Sequence, residues 1–251
     1  MILAEPPPSQ GDLHFRLFGF PVRIHPFFWV IAVLFSLRGD SPPEKVLSWV
    51  VALFVSILIH ELGHAFLQRR YGGHPRIVLH GMGGLAICSD CQRSTRSQIL
   101  ISLAGPIAGF IFAAVLFVMV NLSGYQAGIS LGPPNITGFS VELLGMNFYW
   151  EALPSMIVNE MIGNLLQINV MWGAVNLLPI YPLDGGHISR ELCQLRSPSQ
   201  GIVLSLQISM IAAIGMAVVG FSWGELYIVI LFGYLAYSSY QALEAYRASR
   251  W

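Results

Sequence analysis

Along its length the chain alternates long apolar stretches with short polar ones. The apolar stretches fall at roughly residues 26 to 37, 46 to 69, 98 to 122, 156 to 180, 201 to 221 and 225 to 246. A helix needs about 20 apolar residues to cross the hydrocarbon core, so all but the first approach spanning length. The first reaches it only by extending toward Glu44 or by starting nearer Phe18, and Pro42-Pro43 oppose the former. The last two are separated only by Ser222-Trp223-Gly224, which forces an antiparallel helical hairpin. Two stretches break the helical pattern. Leu13 to Leu17 and Val22-Arg23-Ile24 alternate weakly about Gly19 and Pro21, and Pro75 to His80 and Leu85 to Cys88 flank Gly81-Met82-Gly83-Gly84. Both read as small β-hairpins, and an open strand edge in the second would be a docking surface. The pattern therefore predicts an all-α polytopic membrane protein: six transmembrane helices, a three-helix core from the second to the fourth, and small β-hairpins on the cytosolic side.

Composition agrees with that class. Of 251 residues, 55% are hydrophobic and only 10% charged, with mean hydropathy +0.63. Lys plus Arg (13) equals Asp plus Glu (13), so no basic field exists to hold nucleic acid. Residues 1 to 12 lack the basic and apolar regions of a signal peptide and read as a mobile N-terminal tail. Residues 13 to 251 read as one membrane-embedded domain, with a core at about 46 to 190, a C-terminal hairpin at about 201 to 246 and no appended soluble domain.

Charge sets the predicted sides, because basic residues favour the cytosolic flank. Arg16, Arg23, Arg69, Arg70, Arg76, Arg93, Arg96, Arg190, Arg196, Arg247 and Arg250 fall on segments that six crossings place together, leaving Arg38 and Lys45 opposite. Both termini are then cytosolic, and residues 123 to 155, with no basic residue, lie outside. Tyr149, Trp150 and Trp223 are expected as an aromatic belt at the outer interface. Three cysteines exclude a disulfide framework, and Cys88 and Cys91, in a predicted cytosolic loop, are expected to stay reduced. Cys88-x-x-Cys91 has the spacing of half a zinc knuckle or of a redox pair; alone it specifies neither.

The chemistry resides in His60-Glu61-Leu62-Gly63-His64, inside the second apolar stretch. On a helix, residues four apart project one above the other, so His60 and His64 can share one zinc ion while Glu61 reaches a water beside it as general base. Ionisable groups inside a span are costly and are functional by default. A catalytic zinc wants a third protein ligand. Asp184 lies in Asn176-Leu177-Leu178-Pro179-Ile180-Tyr181-Pro182-Leu183-Asp184-Gly185-Gly186, where two prolines end the fourth helix and two glycines suit a tight turn. Helices two and four run in the same direction, which puts both motifs near their cytosolic ends. The rival Glu160 precedes Pro179 by about 20 residues, about 30 Å at 1.5 Å per residue.

Together HELGH and NLLPIYPLDGG resemble the site-2 protease family of intramembrane zinc metalloproteases. Leu103-Ala104-Gly105-Pro106-Ile107-Ala108-Gly109 is similar to the family's small-residue motif in its third helix, and the hairpin with Gly83-Gly84 matches as well. The resemblance covers about residues 13 to 190. It implies Zn2+ held by His60, His64 and Asp184, Glu61 as base, substrate contacts at Asn176, Gly83 and Gly84, and substrates that are membrane-anchored, chiefly regulatory proteins. The usual inserted PDZ domain is absent, so this looks like a compact form in a bacterial cytoplasmic membrane. Its implied partners are a transmembrane substrate and the lipid bilayer; a homo-oligomer or a regulatory membrane partner stays open. Two other classes stay open too: a membrane metal or solute transporter, and a catalytically inactive binding scaffold. Among the remaining residues, Asn169 reads as glue between helices, His187 as a loop histidine orienting the turn, and Gly105 and Gly109 as close helix packing.

Overall fold

The computed structural model describes residues 5–37, 42–92, 94–134 and 136–248. Of the basic residues used to assign sides, Arg38, Arg93 and Arg250 lie outside these ranges. The described chain forms two units, one of Met1–Cys91 with Ala104–Ala174 and one of Gln92–Leu103 with Val175–Trp251.

In the first unit, β1 (Leu13–Leu17) and β2 (Phe20–Ile24) form a hairpin whose two-residue turn, Phe18-Gly19, has positive φ at both positions (50° and 85°). Such turns match the right-handed twist of the strands they join. A second hairpin, β3 (Arg76–His80) and β4 (Gly83–Ile87), adds to the first through parallel pairing of β2 with β3, giving one sheet in the order β1-β2-β3-β4. Glu5 and Asp12 are tied to this sheet by ion pairs to Arg23, and Glu5 also reaches Arg76.

Helix α1 (Pro26–Ser36) starts on Pro26 behind the capping imidazole of His25, and α2 (Pro43–Arg70) carries the HELGH motif in its second half. One face of α2, through Ile57, Leu58, Leu62 and Ala65, buries against Val22, Ile24, Ile77 and Leu79 of the sheet. The sheet thereby braces the helix at the motif.

Helix α3 (Thr95–Leu122) contains Pro106, and α4 (Met156–Asn176) packs with α2 and the second half of α3 around Ala52, Leu165, Ile168 and Leu116. Between α3 and α4 lies a sheet that the hydropathy reading leaves as a loop: β5 (Ala127–Ser130), β6 (Gly138–Leu143) and β7 (Met146–Glu151), in the order β5-β7-β6. The architecture is therefore mostly helical with two small sheets, not wholly helical. Trp150, expected at the bilayer interface, is 2% exposed; it stacks on Phe139 and donates its Nε1–H to Asn159 Oδ1 at 3.2 Å. A buried indole needs such an acceptor.

The second unit holds α5 (Asp184–Arg196), α6 (Gly201–Ser222) and α7 (Leu226–Ala248), the last two forming the expected antiparallel hairpin across Trp223-Gly224-Glu225. Ser209 and Ser239 hydroxyls meet at 2.7 Å between α6 and α7. Among the described residues four helices are long and apolar enough to cross a membrane: α2, α3, α6 and α7. The first apolar stretch yields only the 11-residue α1, about 16 Å at 1.5 Å per residue, and α4 has 21 residues but carries Asn159, Glu160, Asn164, Gln167, Asn169 and Asn176.

Candidate metal centre

The four-residue spacing on α2 brings His60 and His64 together. Their Nε2 atoms stand 3.1 Å apart and their rings meet edge to face at 78°. Two nitrogens bound tetrahedrally to one zinc at about 2.1 Å stand about 3.4 Å apart, so the pair already has nearly the spacing that a shared ion requires. Both imidazoles and Glu61 are buried. The donors and their spacing fit zinc.

Small residues make room for the pair. A Cβ at Gly105 would come within 2.7 Å of His60 Nε2, and one at Gly63 would meet Ala108 Cβ at 2.8 Å. Reading Gly105 only as helix packing is therefore incomplete: its missing side chain is the space that the imidazoles face. The clue available in the sequence was the coincidence of Gly63 in one helix with Ala104-Gly105 and Ala108 in the next.

Glu61 faces the sheet. A Cβ at Gly84 would come within 2.6 Å of Glu61 Oε1, so β4 runs directly past the carboxylate. Gly83 (φ +126°), which precedes Gly84, backs onto the ring of Trp172 in α4, 3.2 Å from where its Cβ would stand. Gln68, two turns beyond His60 on α2, donates to the Ala86 carbonyl at 2.9 Å and fixes the far end of β4.

Asp184 belongs to the second unit. There the expected tight turn is instead the first turn of a helix that the hydropathy reading missed. The link from α4 contains a cis Tyr181-Pro182 bond, and Tyr181 N–H donates to Ser209 Oγ at 2.7 Å. Leu183 is the extended N-cap, Asp184 opens α5, and a carboxylate there suits the positive end of the helix dipole. Gly185 lies against the Leu177 and Leu178 carbonyls, and a Cβ at Gly186 would stand 2.6 Å from Tyr181 N. The two glycines serve close approach of backbone to backbone rather than a left-handed turn. His187 sets its ring edge-on to Tyr181 at 5.4 Å. Asn176 is buried at the end of α4.

Other expectations resolve individually. Asn169 donates to Ser56 Oγ of α2 at 2.8 Å, a bond between helices α4 and α2, and to the Leu165 carbonyl of its own helix at 2.8 Å. Glu160 pairs with Lys45 at 2.7 Å. Cys88 and Cys91 are not free thiols: the turn Cys88-Ser89-Asp90-Cys91 brings their Cα atoms to 5.8 Å, and the two form a disulfide.

Residues 48–219, more than half of the chain, match the model of peptidase family M50. A zinc metalloprotease of Methanocaldococcus jannaschii is 27% identical over 187 residues, covering 71% of this chain and 44% of the relative. Stage IV sporulation protein FB of Bacillus subtilis is 26% identical over 181 residues, covering 71% of this chain and 50% of the relative. The chain thus spans about half the length of the curated relatives it matches. The solved site-2 protease from Methanocaldococcus jannaschii has the same fold, with a TM-score of 0.58 at 21% identity over 92% of this chain and 95% of the other.

Proposed function

The chain belongs to peptidase family M50, the site-2 protease family, and on that premise we propose that it is a zinc endopeptidase cleaving peptide bonds within or near transmembrane segments of membrane-anchored proteins. The observation that carries this reading is the pair of buried Nε2 atoms 3.1 Å apart with Glu61 on the same turn of α2. His60, His64 and Asp184 would hold the ion: two imidazoles and one carboxylate leave one position of a tetrahedral zinc open. When bound, zinc supplies Lewis acidity, lowering the pKa of a water and polarising the scissile carbonyl.

The protein's own residues do the rest. Glu61, outside the ligand set, takes the proton of the attacking water and returns it to the leaving amine, a role worth about 10²- to 10⁴-fold in rate. Its burial beneath β4 keeps bulk water from competing for that proton. A helical substrate hides its carbonyls in internal hydrogen bonds, so the reacting segment must be extended. β4 is the edge of its sheet and passes Glu61 at Gly84, so a substrate strand added there would run its carbonyls toward the base. Gly83 and Gly84 keep that edge free of side chains. Asn176 would hydrogen-bond the substrate backbone.

Membership of the family and four apolar helices make this a membrane protein. Six crossings with both termini cytosolic, α1 and α4 completing the set, follow from the charge count and stand as part of the proposal. So do a bacterial cytoplasmic membrane, a transmembrane substrate, and a homo-oligomer or regulatory membrane partner.

Reconstitution with a panel of single-span reporter proteins tests the reading. Cleavage by the wild-type chain that is lost with a chelator and in Glu61→Gln supports it. Transport of a metal or solute that survives Glu61→Gln, with no reporter cleaved, would support the transporter class, which needs no base beside its ligands.

A further inference from the structure

Away from the HELGH motif, two loops of the first unit converge on the Cys88–Cys91 pair. Cys88 Sγ lies 3.3 Å from Asp90 Oδ1, and donor atoms of Cys88, Asp90 and Cys91 all fall within 4.8 Å of one another. Asp90 is held in place from the other loop: His74 donates its backbone N–H to Oδ1 at 3.0 Å, and its Nδ1 stands 2.7 Å from Oδ2. Gly73, next to His74, sits directly on the two sulfurs, where any side chain would collide with both. Cys91 Sγ lies 3.6 Å from the Gln68 carbonyl, the residue that also fixes β4.

The disulfide needs the room that Gly73 leaves, but it does not need a carboxylate held against Cys88 Sγ. A carboxylate buttressed by two hydrogen bonds and placed against a Cys-x-x-Cys pair is the arrangement of a chelate. We propose that Cys88, Cys91 and Asp90 form a second metal site, for a thiophilic divalent cation such as Zn2+, available when the disulfide is reduced. His74 orients the Asp90 carboxylate, and solvent fills the remaining position on this exposed loop.

The chemistry balances in two steps. A small-molecule thiol such as glutathione reduces the disulfide: the S–S bond breaks, two S–H bonds form, and two reductant molecules leave as their own disulfide. Metal binding then displaces both thiol protons. With Zn–S bonds of about 2.3 Å, tetrahedral sulfurs stand about 3.8 Å apart, a separation that side-chain rotation supplies on Cα atoms 5.8 Å apart. Thiolates select zinc-like ions over magnesium or calcium.

Cobalt(II) is the probe, because thiolate ligation gives a near-ultraviolet charge-transfer band that the sulfur-free HELGH site does not produce. The full chain in detergent, reduced and desalted without oxygen, is expected to take one more cobalt per chain than the oxidised protein and to show the band. Reoxidation should abolish both. Cys88→Ser with Cys91→Ser should never show the band, whereas His60→Ala with His64→Ala should keep it, so a failure of the protease reading leaves this test intact. His74→Ala is expected to weaken the site about 10-fold or more, as loss of a supporting hydrogen bond does. Reduced wild-type protein without the band, or a band that persists in the double serine variant, overturns the proposal.

Discussion

At Gly84 one added methyl group would stand 2.6 Å from Glu61 Oε1, and at Gly105 one would stand 2.7 Å from His60 Nε2. The two positions separate base from ligand. Gly84→Ala should lower turnover of a cleaved reporter about 100-fold, the cost of a shift of order 1 Å in a reacting group, with zinc content unchanged. Gly105→Ala should instead weaken zinc binding, read as a lower chelator concentration for half-loss of metal. His80, buried on β3, adds a pH dependence: burial pushes its pKa below the ordinary 6.5, and His25 and Arg23 add to the effect. The folded chain thus binds fewer protons than the unfolded chain between that lowered pKa and 6.5. The contribution is complete above pH 6.5 and is lost as pH falls through that window. Thermal midpoints should therefore drop from pH 7.5 to pH 5.5, and His80→Asn should flatten the drop; an identical drop in the variant would remove His80 as its source.

At the scale of elements, Asn159 clamps the start of α4. Its Oδ1 accepts from Trp150 Nε1 and Leu153 N, and its Nδ2 donates to the Leu153 and Ser155 carbonyls. Asn159→Leu leaves the buried Trp150 indole N–H and the half-buried Leu153 N–H without their acceptor and should cost about 1–3 kcal/mol for the indole and less for the amide, seen as a lower unfolding midpoint in detergent. Asn159→Asp, which keeps the acceptor, should lose less. The long helices α2, α3, α6 and α7 were legible because length and hydropathy alone define them. The sheet β5-β7-β6 was not, although Phe139-Ser140-Val141-Glu142-Leu143 and Met146-Asn147-Phe148-Tyr149-Trp150 alternate visibly about Leu144-Gly145. Hydropathy averaged over a helix-length window erases a period of two. Helix α5 was hidden for another reason: Pro182 and Gly185-Gly186 are turn signals, and their use as a close backbone contact depends on the Leu177 and Leu178 carbonyls that only folding brings near. The His60-His64 pair needed no such partner, since helical spacing alone sets it. Glu61 beside Gly84 did, because β4 returns to α2 only through the sheet. Proline at Leu85 should disrupt β4 as a docking edge, reducing reporter cleavage while zinc stays bound; unchanged cleavage would dismiss strand addition there.

At the scale of the whole molecule, the proposed function requires that the chain hold a hydrolytic zinc through residues from distant parts of its sequence. Family membership and a shared fold support this, with identities of 26% and 27% to two relatives of which this chain spans about half the length. The most direct measurement is zinc per chain by elemental analysis, in a Cys88→Ser, Cys91→Ser background that removes the sulfur site. The parent and its Glu61→Gln derivative should each carry one zinc, and His60→Ala, His64→Ala and Asp184→Ala should each lower retention at least 10-fold. Zinc retained at the parent level after loss of both histidines would contradict the account.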